Sequence, residues 1–518
     1  MESIWNREKK LKKFDSLKEN IYADTIVIGG GMCGVLTAYL LGKSGREVIL
    51  LEKDRIFSGQ SCRTTAKITA QHGCVYYNFI NDLGKEKAAQ YAKANIDAVN
   101  KYSEIINELK IECGFRRCDS YIYSLHEKER MEKEAEACVS LGMDAEFTQR
   151  TELPFDVDGA VKLKSQACFD PIEFISGILE NMPENVKIYE KSNVISVEKG
   201  IIHVVVSSEN AEEVKDNDKF TASAENIIFC TNFPFINSHG MYFARMHRER
   251  SYVLALKKAK KLENMYLCIS PKENDNDIHD TLSFRSCELN GEDILLLGGG
   301  KHRTGYNKNG GVYDSLKSIA SELYSDSKVI GEWSAQDCIT LDSIPYIGRY
   351  SQNAPEGWYC ATGFMKWGMS SSMVAAEIIT GLINDKKYRY PVFDTSRFSM
   401  QDIPTLLKEG KEAVKGIAKE NFTVPQETVE KIPVGQGMTV TLNGENIGLY
   451  RESGDEYYAV DTKCPHLGCR LEWNPDDLSW DCPCHGSRFD YTGKLLDNPA
   501  QTDIGTKSKV EIKSKAEV

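Results

Sequence analysis

The chain lacks any run of about 18 apolar residues, so no transmembrane helix is expected. Its opening stretch, MESIWNREKKLKKFDSLKEN, lacks the apolar core of a secretory signal and is charged throughout. A solvated helix leading into the first strand is expected there, and the protein is expected in the cytoplasm. Internal repeats and low-complexity tracts are absent too. So is an excess of positive charge: 64 Lys and Arg against 76 Asp and Glu leave a net charge of −12. That balance argues against nucleic acid as a partner, because neutralising phosphates takes clustered cations. The remainder reads as globular, with 41% hydrophobic and 27% charged residues. At 518 residues, two or three domains are expected. The 16 cysteines are dispersed over a large chain, which points to small, buried, free thiols rather than a disulfide framework. One local cluster, Cys464 to Cys484, stands apart.

Residues 22–52 read strand, turn, helix, strand, and 53–75 form a polar loop rich in Ser, Thr and Gly. Helical spacing recurs over 85–110 and 127–141, strand-like runs dominate from about 185 to 300, and 371–383 form an apolar helix. Residues 396–424 are amphipathic and charged and read as a helical connector. After Pro425 the texture changes to short β segments with Gly turns, which marks a domain boundary.

The segment Ile26-Val27-Ile28-Gly29-Gly30-Gly31-Met32-Cys33-Gly34 is an apolar strand running into GxGxxG, followed by a helix pattern and a second strand that ends in Glu52. Gly29 allows the tight turn. Gly31 lets backbone approach a pyrophosphate at the helix N-terminus, and Gly34 allows close helix–strand packing. Glu52 is placed to accept from ribose hydroxyls. The whole βαβ context makes a dinucleotide site the reading, and Gly30 belongs to the same turn.

Further pieces occur in order: Gly59-Gln60-Ser61-Cys62-Arg63-Thr64-Thr65; Ile227 to Asn232; Asp342-Ser343-Ile344-Pro345-Tyr346-Ile347-Gly348; and Ala361-Thr362-Gly363-Phe364-Met365-Lys366-Trp367-Gly368-Met369-Ser370. With them, residues 20–390 resemble the FAD-dependent family of D-amino-acid oxidase and glycine oxidase. The resemblance implies an α/β, Rossmann-like FAD-binding domain of the glutathione reductase type with an interleaved α+β substrate domain. FAD-binding parts are expected at about 21–75, 150–240 and 335–390, and substrate-domain parts at 76–149 and 241–334. It also implies that Thr64 and Thr65 lie along the pyrophosphate and flavin, that Val194 meets the adenine, and that Thr231 lines the site. The Gly363–Met369 turn, with Lys366, Gly368 and Met369, would aim helix N–H groups at the flavin's pyrimidine edge.

Two segments dominate the C-terminus: Cys464-Pro465-His466-Leu467-Gly468-Cys469 and Cys482-Pro483-Cys484-His485-Gly486-Ser487. As ligands they give C-x-H, fifteen intervening residues, then C-x-x-H. Two Cys and two His suit zinc as one reading. The other is a Rieske centre, with Cys464 and Cys482 on one iron and His466 and His485 on the other, at about −150 to +300 mV. Gly468 and Gly486 permit tight loops, and Ser487 is a donor toward a bridging sulfide. The run Trp480 to Asp490 and the later Asn498-Pro499-Ala500 closely resemble Rieske proteins, which implies an all-β domain over 425–518. Cys469 and Cys484 occupy the positions that form a disulfide between the ligand loops of bc-type Rieske proteins, and that pairing is expected here. Phe489 stands where those proteins carry a Tyr that donates to a ligand sulfur. Phe cannot donate, so a lower potential is expected.

FAD accepts a two-electron hydride and a Rieske centre carries single electrons. Together they imply an oxidoreductase that oxidises a small substrate, an amine or amino acid by family analogy, and passes electrons through the cluster to a one-electron acceptor protein or a quinone. The alternatives are an oxygen-using oxidase whose Rieske domain senses redox state, and a non-catalytic electron-transfer protein. Substrate-side candidates are Lys67, near flavin N5, and Arg285, as a bidentate partner for a carboxylate. Tyr252 and His302 are expected to be structural.

Overall fold

The computed structural model describes residues 2–6, 11–198, 200–206, 218–237, 239–269, 278–385, 389–397, 432–442, 445–454 and 456–511. Of the connector expected over 396–424, only residues 396 and 397 fall among them. The chain packs as two units. One takes Met1–Gly240, Ser251–Lys301 and Asp314–Phe398; the other takes Met241–Arg250, His302–Tyr313 and Ser399–Val518.

In the first unit, Ile26, Val27 and Ile28 are at most 4% exposed. A strand apolar on both faces belongs at the centre of a parallel sheet. The strand Ile21–Ile28 indeed lies between Val48–Leu51 and Lys219–Phe229, parallel to each. Val186–Tyr189 extends this sheet on one side, and Trp358–Thr362, also parallel, on the other. The helix Met32–Lys43 crosses between the first two strands and packs on the helix Gly368–Asp385. A second, nine-stranded sheet orders Lys328–Thr340, Met246–Lys257, Glu292–Arg303, Ser283–Leu289, Met265–Cys268, Arg116–Ser124, Gly159–Cys168 and Lys67–Ile68, with Ala145–Thr148 paired to Gly159–Cys168.

Two expectations change here. The N-terminal stretch is not a solvated helix: among its described residues only Ile4–Asn6 forms a short 3-10 turn. Trp5 and Leu17 are buried, and Trp5 Nε1 donates to Thr64 O at 2.8 Å. Apolar anchors outweigh the charge of the segment. The strand Gly159–Cys168, expected with the FAD-binding parts, lies in the second sheet. It pairs antiparallel with Arg116–Ser124 from Arg116↔Cys168 to Ser124↔Gly159, a pairing that local sequence does not encode.

The second unit holds two four-stranded antiparallel sheets. One is Gly437–Leu442, Glu445–Ser453, Glu456–Asp461 and Thr506–Glu511; the other is Glu472–Asn474, Ser479–Asp481, Arg488–Asp490 and Leu495–Asp497. Trp480, Phe489, Leu471, Val460 and Ile504 form their shared core. Gly448 lets the Trp480 ring lie on the first sheet, since a Cβ there would sit 2.7 Å from it. Among the described residues no helix is long and apolar enough to cross a membrane.

Candidate functional site

The glycine turn of the first unit is built by exclusion. Gly29 has φ +106°, a left-handed backbone that other residues adopt only with strain. A Cβ on Gly34 would lie 1.8 Å from Gly29 O, so the helix can start only against a bare α-carbon. Gly31 caps that helix without a side chain, and Ser61 Oγ accepts from Met32 N at 3.0 Å. The positive end of the helix dipole lies at this turn, the arrangement that favours an anion. Half-buried Glu52 accepts from Gly30 N at 2.6 Å and from Asp54 N at 2.8 Å, and burial pushes its pKa up. Ser192 N donates to Glu52 O at 2.9 Å, which brings the strand carrying buried Val194 beside the acid.

The loop with Thr64 and Thr65 is held from behind. Its carbonyls accept from Trp5 at Thr64, from Trp333 Nε1 at Arg63 (2.9 Å) and from Arg285 at Thr65. Thr64 Oγ1 accepts from Ala66 N at 2.8 Å. Thr231 Oγ1 donates to Phe233 O at 2.9 Å beside the glycine turn. The turn before the helix Gly368–Asp385 carries left-handed residues at Gly363, Met365 and Lys366 (φ +73°, +54° and +73°). For the two non-glycines this costs about 1–2 kcal/mol each, and such strain collects at functional sites. His72, which sequence reading overlooked, supports the turn. Its ring stacks on Trp367 at 4.9 Å and 12°. Its Nε2 lies 2.8 Å from Thr69 O and Ser370 Oγ, and Nδ1 2.6 Å from Tyr91 OH. A carbonyl only accepts, so Nε2 carries the proton and Nδ1 accepts from Tyr91. Burial holds this imidazole neutral, with a pKa of about 3.

The structure brings Lys67 and Arg285 together. Lys67 Nζ donates to Tyr266 O at 2.8 Å and Ser283 Oγ at 2.5 Å. Desolvation, followed by the charge of Arg285, lowers its pKa to about 7. Arg285 is 2% exposed and donates to Thr65 O and to Phe169 O (2.7 Å), with its guanidinium 5.6 Å over the Trp5 ring. Expected on a substrate carboxylate, it spends those donors on backbone carbonyls and so shapes the Thr65 loop. Tyr252 is fully buried in its strand, and His302 belongs to the second unit.

In the second unit the two candidate ligand loops share one backbone design. Cys464 N donates to Cys469 O and Cys482 N to Ser487 O, each at 2.8 Å. Gly468 N donates to Cys464 O and Gly486 N to Cys482 O, each at 2.9 Å. The two glycines have φ +80° and +79°. A disulfide joins Cys469 to Cys484, with Cα atoms 6.5 Å apart, so the pairing expected between the loops is present. The His466 and His485 rings lie 5.0 Å apart, nearly perpendicular. Burial lowers their pKa values to about 4 and about 3, which favours the neutral form that binds metal. His485 Nδ1 is buried and meets no hydrogen-bond partner among the described residues, as a ligand atom would. Cys464 and Cys482 are 1% exposed. Two thiols and two imidazoles in paired loops fit a [2Fe–2S] centre with mixed ligation. Ser487 Oγ accepts from Ala500 N at 3.0 Å, tying the second loop to the Asn498-Pro499-Ala500 segment.

The same unit contains residues that sequence reading assigned to the substrate domain. Phe243 sets its ring edge-on to His485 (5.7 Å, 85°) and His466 (6.3 Å, 76°). Arg303 Nη2 lies 3.5 Å from Cys484 O. Arg250, fully buried, pairs with Asp477, and Arg248 lies 3.9 Å from Asp497. No local motif announces these contacts.

Two family models match the chain: FAD dependent oxidoreductase over residues 24–382 and Rieske [2Fe-2S] domain over residues 423–509. The chain is 34% identical over 506 residues, 96% of each chain, to the Bacillus subtilis protein YhfW, named as a Rieske 2Fe-2S iron-sulfur protein. Among solved structures, L-proline dehydrogenase from P. horikoshii matches with TM-score 0.56 and 19% identity, over 74% of this chain and 98% of that one. Glycine oxidase from Geobacillus kaustophilus matches with TM-score 0.55 and 14% identity, over 73% and 99%. These two are likenesses of fold.

Proposed function

Because the chain belongs to the FAD-dependent oxidoreductase family and carries a C-terminal Rieske [2Fe–2S] domain, we propose that it oxidises a small amine or amino acid and delivers the electrons through the cluster to a one-electron acceptor. Bound FAD supplies two-electron chemistry, and the [2Fe–2S] cluster supplies single-electron transfer. The chain's own residues do the holding. The Gly29–Gly34 turn and the helix start at Met32 receive the pyrophosphate, Glu52 the ribose hydroxyls, and Val194 the adenine. Thr64, Thr65 and Thr231 line the flavin. The strained turn from Gly363, with Lys366, Gly368 and Met369, presents positive charge and N–H groups to its pyrimidine edge. Lys67, with an amine that loses its proton near neutral pH, is the proton acceptor toward the substrate. Cys464 and Cys482 hold one iron, His466 and His485 the other.

The observation that carries this reading is the pair of matched ligand loops, Cys464–Cys469 and Cys482–Ser487, in the same polypeptide as a complete dinucleotide turn. The amine or amino acid class rests on the fold, shared with a proline dehydrogenase and a glycine oxidase. The test is stopped-flow reduction across a panel of amines, amino acids and hydroxy acids, followed by oxygen. Rapid flavin bleaching with an amine or amino acid, and slow oxygen reoxidation in cluster-free Cys464→Ser, are expected. Fast oxygen reoxidation in that variant would make the protein an oxidase and remove the exit role of the cluster.

A further inference from the structure

Residues 241–250 and 302–313 come from the middle of the flavoprotein sequence, within the 24–382 family match, yet they pack with the cluster domain. Their hold on it is dense. Arg250 pairs with Asp477, whose side chain is 8% exposed, and Arg488 Nη2 shares that carboxylate at 3.2 Å. Arg248 reaches Asp497 at 3.9 Å and Asn498 Oδ1 at 3.5 Å, while Arg488 Nη1 takes Asp497 at 3.3 Å. Asn307 donates to Asp476 at 2.8 Å, and Lys308 pairs with Glu472 at 3.0 Å. Removing either member of a buried pair strands a charge away from water, so the attachment is not a loose one. Backbone approach is equally close: Gly305, at φ +81°, leaves no room for a Cβ, which would meet Pro483 Cα at 2.7 Å. Thr304 N donates to Arg248 O at 3.0 Å, so the two segments brace each other.

At the end of this brace stands Phe243, in the short helical turn Tyr242–Arg245, edge-on to both imidazoles. Arg303 lies against the carbonyl that precedes His485, and His485 is 7% exposed. We propose that Phe243 and Arg303 form a built-in cap over His485, so that the cluster trades electrons on that side with its own chain and not with an external carrier. This rests on His485 being an iron ligand. In the exchange, reduced flavin bound by the same chain would lose one electron and one ferric ion of the cluster would gain it and become ferrous, with no atom transferred. The two cysteine ligands are buried, and Phe243 covers the imidazole of His485, while His466 stays half-exposed and open to an external acceptor.

The test uses full-length holoprotein. Carbethoxylation of His485 by diethyl pyrocarbonate is mapped by mass spectrometry, and the dithionite-reduced cluster is reoxidised by ferricytochrome c, a bulky one-electron oxidant. Wild-type His485 is expected to react slowly, and Phe243→Ala to raise both rates at least tenfold with an unchanged reduced-state paramagnetic signal. Phe243→Leu, which keeps most of the bulk, is expected to stay within threefold of wild type, whereas general loosening would raise both variants alike. Equal rates in wild type and Phe243→Ala, or equal gains in Phe243→Ala and Phe243→Leu, overturn the cap. Should Phe243→Ala lose its cluster, Asp477→Asn replaces it as the variant that frees the Arg250 anchor, with the same expectation. The ligand assignment is scored separately by loss of the mixed-ligand signal in His485→Ala, and the flavin reading by substrate bleaching, which does not depend on Phe243.

Discussion

At the scale of single residues, the account turns on protonation and hydrogen-bonding capacity. Lys67 has its pKa lowered to about 7 by desolvation and by Arg285. Only the neutral amine takes a proton, and it prevails above that pH. Flavin reduction by substrate should therefore rise with pH through about 7 and level off, and Lys67→Met should remove the rise and slow the step about 100-fold or more. An unchanged profile in the variant assigns the base elsewhere. Phe489 gives a second test. Its ring is fully buried, and a Tyr in its place adds a donor near the cluster. A hydrogen bond worth about 1 kcal/mol to the more negative reduced state converts to about 40 mV, so Phe489→Tyr should raise the midpoint potential by that order in a redox titration. Such residues stand out as candidates in sequence because their chemistry is local: a glycine that must lack a Cβ, a Cys or His in a ligand-like spacing, a missing hydroxyl. Arg285 was legible as a charge but not as a scaffold, because its partners, Thr65 O and Phe169 O, are backbone atoms more than 100 residues away. His72 carried no signal at all; it is one histidine among nine, and only the fold stacks it on Trp367.

At the scale of elements, the glycine turn and the ligand loops bear the consequences. A methyl at Gly34 would overlap Gly29 O, separating the helix Met32–Lys43 from the strand before it. Gly34→Ala should weaken FAD retention at least about 100-fold, the equivalent of about 2.7 kcal/mol, measured by flavin release on dilution; a variant that purifies fully yellow contradicts the turn's role. The Cys469–Cys484 disulfide closes a loop with a sequence separation of 15. A loop of that size is worth about 3 kcal/mol in the chain-entropy account. The Cys469→Ser, Cys484→Ser double variant should lose its cluster at a markedly lower temperature than wild type, followed by visible absorbance, and equal melting shows that the cross-link is not holding the loops. Strand and helix existence near the N-terminus followed from periodicity. Strand membership did not: Gly159–Cys168 alternates well enough for either sheet, and register with Arg116–Ser124 decided.

At the scale of the whole molecule, two cofactor sites in one polypeptide define the protein. The change of texture after Pro425 suggested a boundary there, at a position outside the described residues, and the family matches place the Rieske domain after the oxidoreductase region. What no composition shift revealed is that residues 241–250 and 302–313 pack with the cluster domain. Those contacts join positions some 160 to 250 apart in sequence, through ordinary arginines, aspartates and one phenylalanine. Shared electrons are the claim to test. Oxidised holoprotein should be mixed anaerobically with a substrate that bleaches its flavin, then frozen for paramagnetic resonance. The account predicts a rhombic signal of a reduced, mixed histidine–thiolate cluster without any added reductant; a bleached flavin beside a cluster that stays silent until dithionite is added contradicts it.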